Sequence, residues 1–170
     1  NQSNQSNALR LGIADVAGTA LRLDGPTTTD AIAIGSANQT LAIGAAGSLT
    51  LTAGEPVNGG TIVLESGANL TAASGITLGA DARLIGAGAV AAPLSGSGSV
   101  VASGGTLDLA GSADAGLVLG IDEAADATLR IGGTATAATI AIASAHQTLA
   151  VAGSLMLTAP ESITDGLIRL

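Results

Sequence analysis

The chain has 170 residues, 47% of them hydrophobic, with no aromatic side chain and no cysteine. Its 13 acidic and 5 basic residues leave a net charge of −8, and every basic residue is an arginine. That balance excludes nucleic acid as a partner, because a polyanion is repelled and single strands find no ring to stack on. It also excludes disulfides and Cys-containing metal sites, and one histidine alone cannot build a site of imidazoles.

Residues 1–7, NQSNQSN, have no counterpart elsewhere in the chain and read as a mature end, a cap or a remnant of expression. From residue 8 onward the chain is expected to form a single repetitive domain, 8–170. LRLGIADVAGTALRLDG from Leu9 returns as LVLGIDEAADATLRIGG from Leu117, so that 9–64 matches 117–170. Leu21, Ile32, Gln39 and Leu41 pair with Leu129, Ile140, Gln147 and Leu149. After Ile43 two residues drop out, and Ser48 then pairs with Ser154 and Glu55 with Glu161.

A shorter repeat is nested within the long one. The series Leu21, Leu41, Ile62, Leu84, Leu107, Leu129, Leu149, Ile168 advances by about 19 to 23 residues, the range of solenoid repeats. Further aliphatic pairs begin at Leu9, Ile32, Leu49, Ile76, Leu117, Ile140 and Leu155. Each pair alternates with small or polar residues, as in SLTLT over 48–52 and TLDLA over 106–110, which is the period of a strand buried on one side. A unit this short cannot bury its own apolar side chains, but stacked units merge theirs into one core. The expected fold is therefore all-β, a parallel β-helix of about eight coils of about 21 residues, with five coils per long repeat. Right-handed winding follows from the handedness of crossovers between parallel strands. Glycines after the aliphatic pairs, at Gly25, Gly44, Gly54, Gly79 and Gly133, are expected at corners that need positive φ.

The uncharged run from Leu84 to Leu107 has the length of a membrane span, but its Gly, Ser and Pro93 argue for strands and turns, and no membrane-spanning segment is expected. A membrane barrel is disfavoured by short strands and by the absence of aromatic girdles. Arg22 and Arg130 occupy the same place in the two copies and are expected to point outward. His146 stands where the first copy has Asn38, a turn position rather than that of a catalytic base. Asp122, Glu123 and Asp126 are the candidates for calcium, although the spacing matches neither an EF-hand nor a glycine-rich nonapeptide, and a solvated turn accounts for them. Asn1, Asn4, Asn38 and Asn69 open Asn-x-Ser/Thr triplets, read either as polar turn residues or as glycan acceptors. The pairs Thr50/Thr52 and Thr134/Thr136 raise an ice-binding solenoid as a further option. A polysaccharide-acting β-helix enzyme is the enzymatic alternative, but Asp15, Asp81, Asp108 and Asp114 form no visible carboxylate pair. No catalytic residue and no cofactor is expected.

The motifs GSLTLTAG (47–54) and GSGSVVASGGTLDLAG (96–111), free of cysteine and rich in Gly, Ala and Thr, resemble the passenger and stalk regions of large secreted bacterial adhesins of the filamentous-haemagglutinin and autotransporter type. The resemblance implies a β-helix outside the cell, at the bacterial surface, with a structural role in adhesion or biofilm matrix. Its partners would be neighbouring copies of the repeat or the rest of a longer chain. End-to-end assembly into an extracellular filament is the alternative, since an open coil edge templates another coil.

Overall fold

The computed structural model describes residues 11–124 and 126–170. Residues 1–7, with Asn1 and Asn4, and the start of the long repeat at Leu9 lie outside the described residues. Among the described residues there is no helix, and parallel strands stack into a β-solenoid of about eight coils spaced by about 20 residues.

Each coil has three sides. The strand Glu55–Ala72 shows how they arise: its ladder with Ile76–Ala91 shifts register between Val57 and Gly59 and again between Leu64 and Ala68, leaving three straight segments joined at corners. On the first side Leu21, Leu41, Ile62, Leu84, Val100 and Leu119 stack in register. The second side carries Thr27, Leu49, Leu70, Val90, Leu109, Ile131 and Val151. On the third, Glu55, Ile76, Leu94, Ala113, Ala135 and Leu155 follow one another. Below Glu55, Leu11 pairs with Ile32.

Strand alternation places these side chains inside. Leu41 and Ile43 are buried while Ala42 between them is only partly covered, and Leu149 and Ala150 repeat that contrast. The core is a stack of aliphatic side chains from Ile13 to Leu149 with no aromatic contribution. Complete burial of one such side chain stabilises by about 1.5–3 kcal/mol, and each coil receives that contribution from the coils above and below it.

Three expectations need correction. First, Leu107 does not stack on Leu84: Val100 does, and Leu107 pairs with Gly88 on the next side. The series read from the sequence therefore crosses from the first side to the second at that step. Second, the long repeat is five coils plus one further side. Leu21, on the first side, corresponds to Leu129, which stacks on Leu107 and Leu149 on the second. Short coils between Leu84 and Leu119 leave enough chain for the additional side, so the second copy is turned by one side relative to the first.

Third, Gly25, Gly44, Gly54, Gly79 and Gly133 are not among the glycines with positive φ. Crowding explains three of them: a Cβ at Gly44, Gly79 or Gly133 would lie 2.1 Å from Asp24 Oδ1, 2.8 Å from the Asn58 carbonyl and 2.1 Å from the Gly111 carbonyl, respectively. Positive φ occurs instead at other glycines, several inside the long strands, as at Gly60 (87°) and Gly86 (127°), where the chain turns a corner, and others at Gly18, Gly75, Gly96 and Gly166. The strands Glu55–Ala72, Ile76–Ala91 and Ser99–Leu109 are consequently longer than the short segments expected, while the other described strands are 2–5 residues long.

Candidate functional site

Among the described residues, four polar side chains are buried in the apolar interior: Thr29, Gln39, Glu55 and Gln147. Gln39 and Gln147 are equivalent in the two copies and make the same bonds. Gln39 Oε1 accepts from the backbone N–H of Gly35 (2.7 Å) and Ser36 (3.1 Å), while its Nε2 donates to the Ile13 carbonyl (2.5 Å). Gln147 Oε1 accepts from Ala143 (2.7 Å) and Ser144 (3.0 Å), and its Nε2 donates to the Ile121 carbonyl (2.6 Å). At these tight corners the side-chain amide satisfies backbone groups that the ladder leaves open.

Glu55 is the unusual member. It is 3% exposed and holds a place in an aliphatic stack, with Ile76 and then Leu94 in the coils that follow. Its Oε2 accepts the backbone N–H of Ile32 in the preceding coil at 2.6 Å. Pro56, next in the chain, has no N–H to offer a ladder, and backbone pairing between these two coils resumes only at Ile34 and Val57. The sheet is thus open beside Glu55. Burial pushes its carboxyl up to about 7, against the opposing pull of the Ile32 N–H. Oε1 is buried without a partner. A cleft of about 410 Å³ opens here, with Glu55 and Asp30 as its acidic lining residues and Leu11, Ala31, Ala33 and Pro56 among its apolar ones. In the second copy Glu161 likewise accepts the Ile140 N–H at 2.7 Å, from a partly buried position.

The outer surface carries ion pairs between coils. Arg22 is exposed, donates to Asp24 and reaches Glu65 two coils on through both terminal nitrogens, at 2.5 and 3.1 Å. That contact holds the Glu65 carboxyl below its usual range. Arg130 donates to Asp108 on the neighbouring coil at 2.5 Å. Both arginines therefore point outward as their spacing implied, and Asp108, unpaired in the sequence reading, has a cationic partner. The other Asp108 oxygen is buried without one.

The remaining candidates lie at turns and on outer surfaces. His146 is exposed in a turn with Nδ1 2.7 Å from Asp126. Asp122 accepts from the Ala124 N–H (2.9 Å) and the Ser103 hydroxyl (2.7 Å), and these bonds lower its pKa. Glu123 is exposed. Among the described residues no three His, Cys, Asp or Glu side chains gather as a metal site. Asn38 is exposed in a turn and donates to Asp15 (3.1 Å), while Asn69 is exposed on a strand and donates to the Gly67 carbonyl (3.2 Å). Hydrogen bonds from Ser36 and Asn38 lower the Asp15 pKa. Thr50 stands in an outward rank with Thr28 and Thr71, and Thr106, Thr128 and Thr148 form another. Thr134 and Thr136 face Ser154 and Met156 instead. Among the described residues no helix is long and apolar enough to cross a membrane.

Glu55 and the cleft were missed in the sequence, although a signal was present: Gln39 and Glu55 each stand two residues before a core aliphatic, Leu41 and Val57, and so share its inward phase. No protein-family model matches the chain, and no curated protein or solved structure does.

Proposed function

We propose that the chain is a structural segment, a stalk, spacer or fibre body, of a secreted bacterial surface protein acting in adhesion or biofilm matrix. The observation that carries this reading is the parallel ladder that continues from Thr19–Leu23 to Leu167–Arg169 over one filled aliphatic core. Such a rod transmits force along its axis and holds whatever is attached to its ends at a fixed separation. The Arg22 bridge ties coils two apart and the Arg130 bridge ties adjacent coils from outside, and the acidic surface keeps rods apart. The role is mechanical and non-catalytic. Surface labelling and immunogold imaging of unpermeabilised source cells test it: label on the cell exterior is expected, and a product confined to the cytosol would overturn it.

Self-assembly into a filament is a second reading, favoured by one observation. Leu155 and Leu157 are partly uncovered and Ile168 is 39% exposed, although each lies in register with a buried residue, Ala135, Ala137 and Leu149. A further coil, of the same chain or of another copy, would cover them. Sedimentation across a wide concentration range decides this reading, with growth of long species expected and a constant monomer mass fatal to it.

A further inference from the structure

Glu55 combines features that its structural role does not need. As an acceptor for the Ile32 N–H it uses only Oε2; Oε1 is buried and unpartnered, and the side chain lines a cleft between coils. A glutamine would serve the same N–H without the cost of burying a carboxylate. The cleft has apolar walls from Leu11, Ala31, Ala33 and Pro56, and one further acidic group, Asp30, whose Oδ1 accepts from the Thr52 hydroxyl.

We infer that this cleft is a binding site for a primary alkylammonium group, with the cation held by Glu55 and Asp30 and its aliphatic stem lying against Leu11, Ala31, Ala33 and Pro56. The chemistry selects this class. Calcium takes six to eight oxygens, and two carboxylates in an otherwise apolar cleft do not supply them. A guanidinium carries five donors in a fixed fork, whereas an ammonium carries three that rotate to suit the acceptors present. A buried unpaired carboxylate is stabilised most by a cation brought directly beside it.

Binding requires ionised Glu55, so it releases a proton and strengthens as pH rises. Among the described residues Asp30 is the other titratable group lining the cleft; Leu11 and Gly12 on one flank and Ile76 and Leu94 on the other are uncharged. With the Glu55 carboxyl at about 7, affinity at pH 6 should be about tenfold below that at pH 8.

Calorimetric titration of n-butylamine into the whole chain tests the site, with n-butanol as the uncharged control. The expected result is saturable amine binding at pH 8 with a dissociation constant on the order of 1 mM and little proton release, and about tenfold weakening at pH 6 with release of close to one proton. Glu55→Gln, checked for fold by circular dichroism, should abolish binding, and Asp30→Asn should weaken it a few-fold. In wild type, the carbon resonance of the Glu55 carboxyl should titrate at lower pH with butylamine present and be unmoved by butanol. Nα-acetyl-lysine amide and putrescine then separate the sources of the amine: tighter binding of the first points to a protein lysine, of the second to a free amine, and either supports the site. Absence of saturable binding at pH 8, equal binding of butanol, retention of binding in a folded Glu55→Gln chain, or a Glu55 resonance indifferent to the amine would each overturn it.

Discussion

Glu55 makes the stability of the rod depend on pH. Its folded pKa is raised to about 7 from an ordinary value of 4.5, chiefly by burial, so between those values the folded chain holds a proton that the unfolded chain has lost. Stability contributed by the protonated group is therefore complete below about pH 4.5 and declines as pH rises to 7, by at most on the order of 3 kcal/mol. Urea unfolding at pH 5 and pH 8 should reveal a lower midpoint at the higher pH, and Glu55→Gln should remove that difference; a wild-type midpoint indifferent to pH would show that the carboxyl is solvated. Gln39 answers a different need, since Gln39→Ala would strand the N–H groups of Gly35 and Ser36 and the carbonyl of Ile13. The expected loss is about 2 kcal/mol or more, read as a shift in denaturation midpoint. Pairing Gln39 with Gln147 was legible from the long repeat, but their bonds were not. Alternation says which way a side chain points, and a polar residue that points inward reveals its purpose only when the corner around it is in place.

At the scale of strands and corners, the inward pairs around Leu41, Leu49, Ile62 and Leu129 were legible because bulky aliphatics alternate there with small or polar residues. Ser99–Leu109 was harder. Its first segment stacks Val100 and Ala102 on Leu84 and Gly86, and in SVVAS the adjacent Val101 and the small inward Ala102 blur the alternation. The next clean aliphatic alternation is at Leu107, one side too far along the coil. The corners were misjudged for a related reason: glycine marks both positive φ and lack of space, and the sequence does not separate them. Gly86→Ala meets both obstacles, with φ of 127° and a Cβ 2.0 Å from the Leu64 carbonyl oxygen. It should cost about 2–3 kcal/mol or more in chemical denaturation. Gly25→Ala, with no positive φ and nothing within 4 Å of the added Cβ, should stay within about 0.5 kcal/mol of wild type. Equal costs would mean that the corner at Gly86 yields more easily than its geometry implies.

For the whole molecule, the nested periods made a solenoid legible, while its phase was not, because a repeat of five coils plus one side looks in sequence like a repeat of five slightly longer coils. The extra side turns equivalent features to different directions: the Arg22 bridge lies on the first side and the Arg130 bridge on the second. A stack in which each coil touches mainly its neighbours should also fail locally. Leu41 is 1% exposed, in register with Leu21 and Ile62, so Leu41→Asp places a charge in the aliphatic stack at a cost of several kcal/mol. The chain can avoid part of that cost by opening the coils around Thr19–Leu23 and Gln39–Ile43. Hydrogen exchange should then accelerate over those strands and the adjacent segment at Thr61–Leu64, while amides of Ala127–Ile131 and Gln147–Val151 keep their protection. Ala42→Asp is the control, because Ala42 points outward between Leu41 and Ile43 and its charge would stay in water. Loss of protection across the whole rod from Leu41→Asp, or equal damage from Ala42→Asp, would mean that the coils unfold as one unit or that the alternation assigned to Gln39–Ile43 is wrong.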